Sequence, residues 1–169
     1  SVLYEANLNL SKDVAVNQGG SSSGKTYSIL QVLFTKAIES KVIITIAGQD
    51  VPNLKAGALR DALDIYNDSI DLQNLVTFYN KSERIFTFAN GSIMEFKSYK
   101  NQQDAKSGKR DYLFMNEANG MSYAVWFELE MRTKKQSYID YNPNSEFWVH
   151  EKLIGQPKVK LIISDHRHN

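Results

Sequence analysis

Hydrophobic positions in this chain fall into short solid runs separated by longer stretches of helical spacing. Residues 13–17 have an apolar centre, Val14-Ala15-Val16, and predict a short buried strand. Tyr27, Ile29, Leu30, Val32, Leu33, Phe34, Ala37 and Ile38 then recur at a spacing near 3.6, which predicts a helix ending near Ser40. Residues 42–47, Val-Ile-Ile-Thr-Ile-Ala, read as a second strand buried on both faces. Strand, helix and strand in this order make a βαβ unit, because parallel neighbours need a crossover.

Further along, Leu54, Ala58, Leu59, Ala62, Leu63, Ile65 and Tyr66 predict one amphipathic helix ending near Asn67, with residues 69–75 as a short second helix. Residues 84–88 and 92–96 flank Ala89-Asn90-Gly91, a hairpin signal, since Asn-Gly tolerates positive φ; the hairpin is expected as an edge addition to the sheet. Residues 99–110 are polar and read as a loop. Strands are predicted at 112–115, 138–141 and 159–164, and helices at 124–131 and 147–154. No internal repeat is visible.

Between the first strand and the first helix stands Gly19-Gly20-Ser21-Ser22-Ser23-Gly24-Lys25-Thr26, a glycine, four residues, then Gly-Lys-Thr. Glycines let the backbone wrap closely around a phosphate, and successive N–H groups make a nest for anionic oxygens. Lys25 can reach the outer phosphates, and Thr26 places a hydroxyl where Mg²⁺ would sit. The helix that follows turns its positive dipole end to the same phosphates. A flexible Gly/Ser turn is the plain alternative, and the βαβ context argues against it. Gln18 precedes the loop and Gln49 follows the second strand; both are candidates for approaching the nucleotide, or ordinary polar residues.

Composition narrows the chemistry. The chain has 169 residues, enough for one domain with a substantial core, and its formal net charge is only +1. It has no cysteine, which excludes disulfides, thiol nucleophiles and cysteine zinc sites. Near-neutral charge argues against tight nucleic-acid binding by this piece alone. No apolar run approaches the roughly 20 residues that cross a bilayer.

A phosphate loop expects a partner strand ending in acidic residues. Here residues 112–115 end in Asn116-Glu117. Glu117 fits the base that activates water. Asn116 replaces the usual aspartate: its amide carbonyl can accept from metal-bound water but supplies no charge. Metal binding is therefore expected to lean on Thr26 and the nucleotide. Alternatively, Asn-Glu simply caps the next helix.

The ordered set of Gly19–Thr26, Asp111-Tyr112-Leu113-Phe114-Met115-Asn116-Glu117-Ala118-Asn119, Glu130-Met131-Arg132, Asp140-Tyr141-Asn142-Pro143 and Phe147-Trp148-Val149-His150-Glu151 resembles the ATPase domain of the large terminase subunit of tailed bacteriophages. The resemblance runs from about Val14 to the end of the chain. It implies an α/β P-loop NTPase (ASCE-type), with a mainly parallel central sheet flanked by helices and the added β-hairpin. It implies ATP hydrolysis with Mg²⁺, driving double-stranded DNA into a procapsid. The implied partners are DNA, the portal protein, the small terminase subunit and further copies of the chain in a ring, in the bacterial cytoplasm at the portal. Residues 1–169 then form one N-terminal ATPase domain, with a C-terminal nuclease domain expected beyond it and no DNA cleavage expected from these residues. The family often has Arg at the position of Ser21 and an Arg-Gly step where this chain has Lys-Ser-Gly.

The resemblance also suggests roles. Asn142 is a candidate γ-phosphate sensor, or a turn residue before proline. Lys106, Lys109, Arg110 and Arg132 are candidates for the cation that stabilises the transferred phosphoryl group, or part of a solvated basic loop. Trp126, Phe127 and Trp148 read as core or helix-packing residues rather than DNA platforms. Two other functions remain open at this level: a small-molecule or nucleotide phosphotransferase, and a nucleotide sensor that does not hydrolyse. The first lacks an evident acceptor pocket and arginine-rich lid, and Glu117 argues against the second.

Overall fold

The run ahead of the phosphate loop forms β1 (Val14–Gly19), and Lys25 opens the long helix α2 (Lys25–Glu39). The structure, a computed structural model, describes residues 1–20, 24–144, 146–165 and 167. Ser21, Ser22 and Ser23 of the loop lie outside the described residues. The next strand is β2 (Ile43–Gly48). The helix predicted over 54–67 is two helices, α3 (Val51–Ala56) and α4 (Ala58–Asn67). The break falls at Gly57, whose φ of −122° and ψ of −100° end one helix and start the next. Asp50 caps α3 by accepting from the Asn53 N–H at 2.7 Å, satisfying a donor that the first helical turn leaves open.

α5 (Ile70–Leu75) leads directly into a strand that the sequence pattern does not reveal, β3 (Val76–Asn80). β4 (Ile85–Phe88) and β5 (Ile93–Ser98) form the expected hairpin. The polar segment that follows contains a 3-10 turn at Asp104–Lys106 and ends sooner than predicted, because Arg110 already belongs to β6 (Arg110–Met115). α6 (Tyr123–Met131), β7 (Thr133–Tyr141), α7 (Trp148–Lys152) and β8 (Val159–Ser164) complete the order. The N-terminal helix α1 (Val2–Leu8) is a further element that the hydrophobic pattern does not reveal.

Among the described residues, eight strands form one sheet in the order β3-β4-β5-β2-β6-β7-β1-β8. From β5 to β8 every neighbouring pair is parallel. β4 and β3 add to β5 in antiparallel fashion, so only those two strands make up the edge addition. β7 lies between β1 and β6, which places the strand that leads into Asn142 next to β1, the strand that leads into the phosphate loop.

Side chains alternate across the sheet and divide the core in two. Ala15, Ile44, Ile46, Phe114 and Tyr138 face α2 and α4. Val14, Val16, Leu113, Met115, Ile139 and Tyr141 face α6 and α7 with Trp126 and Val149. Phe86 on β4 is fully buried and meets Phe34 of α2 edge-on at 5.6 Å and Tyr66 of α4 at 5.5 Å. These aromatic contacts seat the antiparallel strands on the helical layer. On the opposite face, Trp126 and Trp148 stack with centroids 6.0 Å apart, as their packing reading expects. Phe127 departs from that reading: it is 47% exposed, because it sits on the outer side of α6.

One buried polar pair ties α1 to the phosphate-loop strand. The Asn7 and Asn17 side chains donate to each other's carbonyl oxygens at 2.9 Å in both directions, and Asn7 also donates to the Leu3 carbonyl. Removing one partner leaves a buried amide without its partner. Asn7→Ala is expected to destabilise the fold by about 1–3 kcal/mol, read as a shift in the urea midpoint; an unchanged midpoint contradicts this account.

Candidate active site

The parallel strands all end on one side of the sheet, and the predicted chemistry gathers there, as it does in open α/β folds generally. Gly19 closes β1, and Gly24, at φ 80°, turns the chain into α2. That left-handed backbone suits glycine and aims the first N–H groups of α2 at the loop. Lys25 is 6% exposed; its Nζ donates to the Gly20 carbonyl at 3.3 Å and to Asn142 Oδ1 at 2.9 Å. The loop lysine and the candidate sensor at the end of β7 are thus in direct contact.

At the centre stands a residue that the sequence reading did not single out, Asp140 of β7. It is fully buried. Its Oδ2 accepts from the Thr26 hydroxyl at 2.5 Å and from Asn116 Nδ2 at 3.1 Å. Its Oδ1 accepts from Asn116 Nδ2 at 3.0 Å and from the Glu117 backbone N–H at 2.6 Å. Phosphate loop, Asn116 and Glu117 therefore meet on one carboxylate. A sequence signal did exist. Period-two alternation puts Asp140 on the Tyr138 face of β7 and Asn116 on the Phe114 face of β6. Both are the α2 side, the side on which the phosphate-loop lysine and threonine open the helix.

Glu117 has φ 52° and ψ 57°, one of two non-glycine residues at positive φ among the described residues. Such a conformation persists where the surroundings over-determine it. Here the Asp140 carboxylate holds the Glu117 N–H, and Asn116 N–H is held by the Ala47 carbonyl of β2 at 2.9 Å. The twist frees the Glu117 side chain from the strand direction and leaves it exposed at the mouth of the site. A short 3-10 turn, Ala118–Gly120, follows. Gln49 packs against it so closely that a Cβ on Gly120 would lie 1.9 Å from Gln49 Oε1. Gln49 thus braces the turn after Glu117.

Carboxylates crowd this end of the sheet and perturb one another. Partial burial pushes the Glu117 carboxyl up from its ordinary range, Asp140 and Asp50 add to the rise, and Lys25 opposes it. Asp61 on α4 is pushed up by burial, with Asp64 and Asp140 adding and Arg60 opposing. Burial also drives Asp140 upward, against Lys25 and the hydrogen bonds from Thr26, Glu117 and Asn116.

The remaining predicted residues are dispersed. Gln18 points to the α7 face, where its Oε1 accepts from the Tyr141 hydroxyl at 2.6 Å; this links β1 and β7 and does not reach the loop lysine's partners. Arg110 lies at the far end of β6 from Asn116 and is 2% exposed. Its guanidinium donates to Thr45 Oγ1 and the Leu129 carbonyl, both at 3.0 Å, and to the Ser107 carbonyl at 3.4 Å. Those bonds turn it into the interior, away from any phosphate. Arg132 follows α6, also at the far end of the sheet, and is paired with Glu128 at 2.7 Å. Lys106 and Lys109 are exposed on the polar segment, so of the four cations only these two are free to meet a neighbouring molecule.

The chain covers all of its length on a structure it resembles at 13% identity and a TM-score of 0.80, the large terminase of a thermophilic bacteriophage in complex with ADP, while spanning 46% of that protein. It is also similar to the large terminase ATPase domain of Thermus phage P74-26, at 12% identity and a TM-score of 0.75, covering 95% of this chain and 79% of that one. The N-terminal domain of the DNA packaging ATPase from bacteriophage phi29 matches at 14% identity and a TM-score of 0.61, with 96% of each chain covered. At these identities the likeness establishes the fold, that of P-loop terminase ATPase domains. No curated protein matches the sequence. The phage terminase large subunit family matches residues 11–164, which is nearly the whole chain, and the protein belongs to that family.

Proposed function

We propose that this domain hydrolyses ATP and that, in its full-length setting, the hydrolysis drives double-stranded DNA into a viral procapsid. The observation that carries the reading is the meeting of Lys25, Thr26, Asn116, Glu117 and Asn142 around Asp140, at the loop end of the sheet. A site for phosphate and a carboxylate that can accept a proton from water stand together there. The ADP and ATP-gamma-S complexes of the thermophilic phage terminase support nucleotide binding as the domain's role.

The residues divide the work. Backbone N–H groups of the Gly19–Thr26 loop and the α2 N-terminus hold phosphate oxygens. Lys25 leaves Asn142 for the outer phosphates when nucleotide enters, which gives Asn142 a way to register the γ-phosphate. Glu117, at the mouth of the site, takes the proton of the attacking water as it adds to phosphorus. Partial burial raises its basicity, which suits a general base. Mg²⁺ fits the donor set, since the Thr26 hydroxyl directs its proton to Asp140 and keeps its lone pairs outward, while Asn116 contributes a neutral amide. When bound, the ion would supply charge neutralisation for the outer phosphates. Lys106, exposed beside α6, is the candidate that a neighbouring copy in a ring meets as a trans-acting cation, with Lys109 as second choice. DNA, portal protein, small terminase subunit and the ring itself are partners of the full-length motor, which acts in the bacterial cytoplasm at the portal. No helix among the described residues is long and apolar enough to cross a membrane.

Phosphate release at saturating ATP tests this reading. Glu117→Gln is expected to lower kcat by about 10²–10⁴-fold, the usual worth of a general base, while nucleotide still binds; full turnover in that variant overturns the assignment. Lys25→Ala is expected to weaken nucleotide binding by roughly tenfold or more, because it removes a charge-assisted contact worth about 1.5–3 kcal/mol. Unchanged affinity contradicts a phosphate site at this loop. With a formal net charge of +1, the isolated domain is expected to bind duplex DNA weakly. Tight, salt-sensitive retention in a filter assay places the DNA contact in this domain instead.

A further inference from the structure

Resting on the ATP-site reading above, we propose that Asp140 takes over the charge role of the missing aspartate at position 116. The acidic group that sets the metal end of this site has moved one strand over, from the tip of β6 to the interior of β7. Asp140 acts as a positioning residue: it fixes the Thr26 hydroxyl as the metal ligand and supplies the negative charge that Asn116 lacks.

The register of the sheet makes the exchange possible. Phe114 pairs with Tyr138 and Met115 with Ile139, so position 116 extends onto position 140. Both side chains rise on the α2 face and their heads touch, with Asn116 Nδ2 at 3.0 and 3.1 Å from the two Asp140 oxygens. A carboxylate on one strand and an amide on the other fill the same space whichever strand carries the charge. Two carboxylates there would repel at hydrogen-bond distance, and two amides would leave no carboxylate behind the Thr26 hydroxyl.

Thr26 identifies which partner is the working one. Its hydroxyl proton goes to Asp140 Oδ2 at 2.5 Å, so its lone pairs point away from the carboxylate, where a hard cation takes oxygen ligands. Asn116 directs its amide nitrogen to Asp140 and leaves Thr26 to the carboxylate. With four hydrogen bonds, Asp140 is close to the accepting capacity of a carboxylate. It therefore works through Thr26 and through its charge. Oxygen ligands held by a hydrogen-bonded carboxylate behind them gain orientation and basicity, and loss of such a partner typically lowers metal affinity by about 10–100-fold.

A purely structural Asp140 is the competing account, since it also holds the Glu117 N–H. Moving the charge without changing the shape separates the two. ADP affinity is measured by calorimetry with Mg²⁺ and with EDTA for the natural protein, Asp140→Asn, and the exchange variant Asn116→Asp/Asp140→Asn. Mn²⁺ bound in the presence of ADP is counted by EPR on the same samples. Asp140→Asn is expected to lose most of the Mg²⁺-dependent gain in ADP affinity, roughly 10–100-fold, with affinity in EDTA unchanged and the Mn²⁺ signal weakened. The exchange variant, which restores the charge across the same pair of side chains, is expected to recover both. If Asp140→Asn keeps its Mg²⁺-dependent gain, the proposal is overturned. It is equally overturned if ADP affinity falls alike with and without metal, or if the exchange variant, folded by its thermal melt, recovers nothing. If the natural protein binds no ADP at all, the ATP-site reading itself fails, an outcome distinct from these.

Discussion

A single buried carboxylate organises the loop end of this sheet. Taking Asp140 out of water is costly unless its charge is hydrogen-bonded, and the protein meets that cost with donors from three places in the chain. Thr26 comes from the start of α2, Asn116 from the tip of β6, and the Glu117 N–H from the residue after it. Each donor is a functional candidate in its own right. The requirement to satisfy one charge therefore aligns the phosphate loop with the candidate base. Lys25, the positive group nearest in effect, is held in turn by Asn142, two residues beyond Asp140 on the same chain segment. The loop lysine, the base and the sensor candidate are coupled through a space of a few side chains.

The sheet makes this convergence possible by its order. With β7 between β1 and β6, a residue rising from β7 can reach both the phosphate loop and the β6 tip. The two faces then serve different ends. The α2 face holds Asp140, Asn116 and Asn17, polar groups each given partners inside an otherwise apolar layer. The α6 and α7 face is aromatic and carries Tyr141, whose hydroxyl joins Gln18 and lies 3.4 Å from His150 Nε2. Strand β7 thus faces chemistry on one side and packing on the other, and a shift of one residue in its register would exchange the two.

Much of the molecule was legible in the sequence because its signals are local. The glycines and lysine of Gly19–Thr26, the periodic apolar face of α2 and the Asn-Gly turn between β4 and β5 each specify their own conformation. Glu117 stood out as a candidate base from its place after an apolar strand. The misses have a shared cause. β3 carries Phe78 exposed and only Val76 buried, so edge pairing with β4, not its own pattern, makes it a strand. α1 is too short to form on propensity and is held by packing on α2 and by the Asn7–Asn17 pair. Gly57 divides a continuous apolar face that reads as one helix. Arg110 reads as a loop cation beside Lys106, yet one more residue of strand pairing carries it into the interior.

Residue types at fixed short spacings were enough to mark a phosphate-loop pattern on a βαβ unit, an acidic residue after the partner strand, and the family that the ordered motifs resemble. At such spacings backbone geometry follows directly from the residues. The assembled fold was needed to show that Asp140 stands between Thr26 and Asn116, that Arg110 and Arg132 are turned away, and that Lys106 and Lys109 remain accessible. Residues 26, 116 and 140 are remote along the chain. Their meeting depends on strand order, register and the face on which each side chain rises, and those are settled by the packing of the whole sheet.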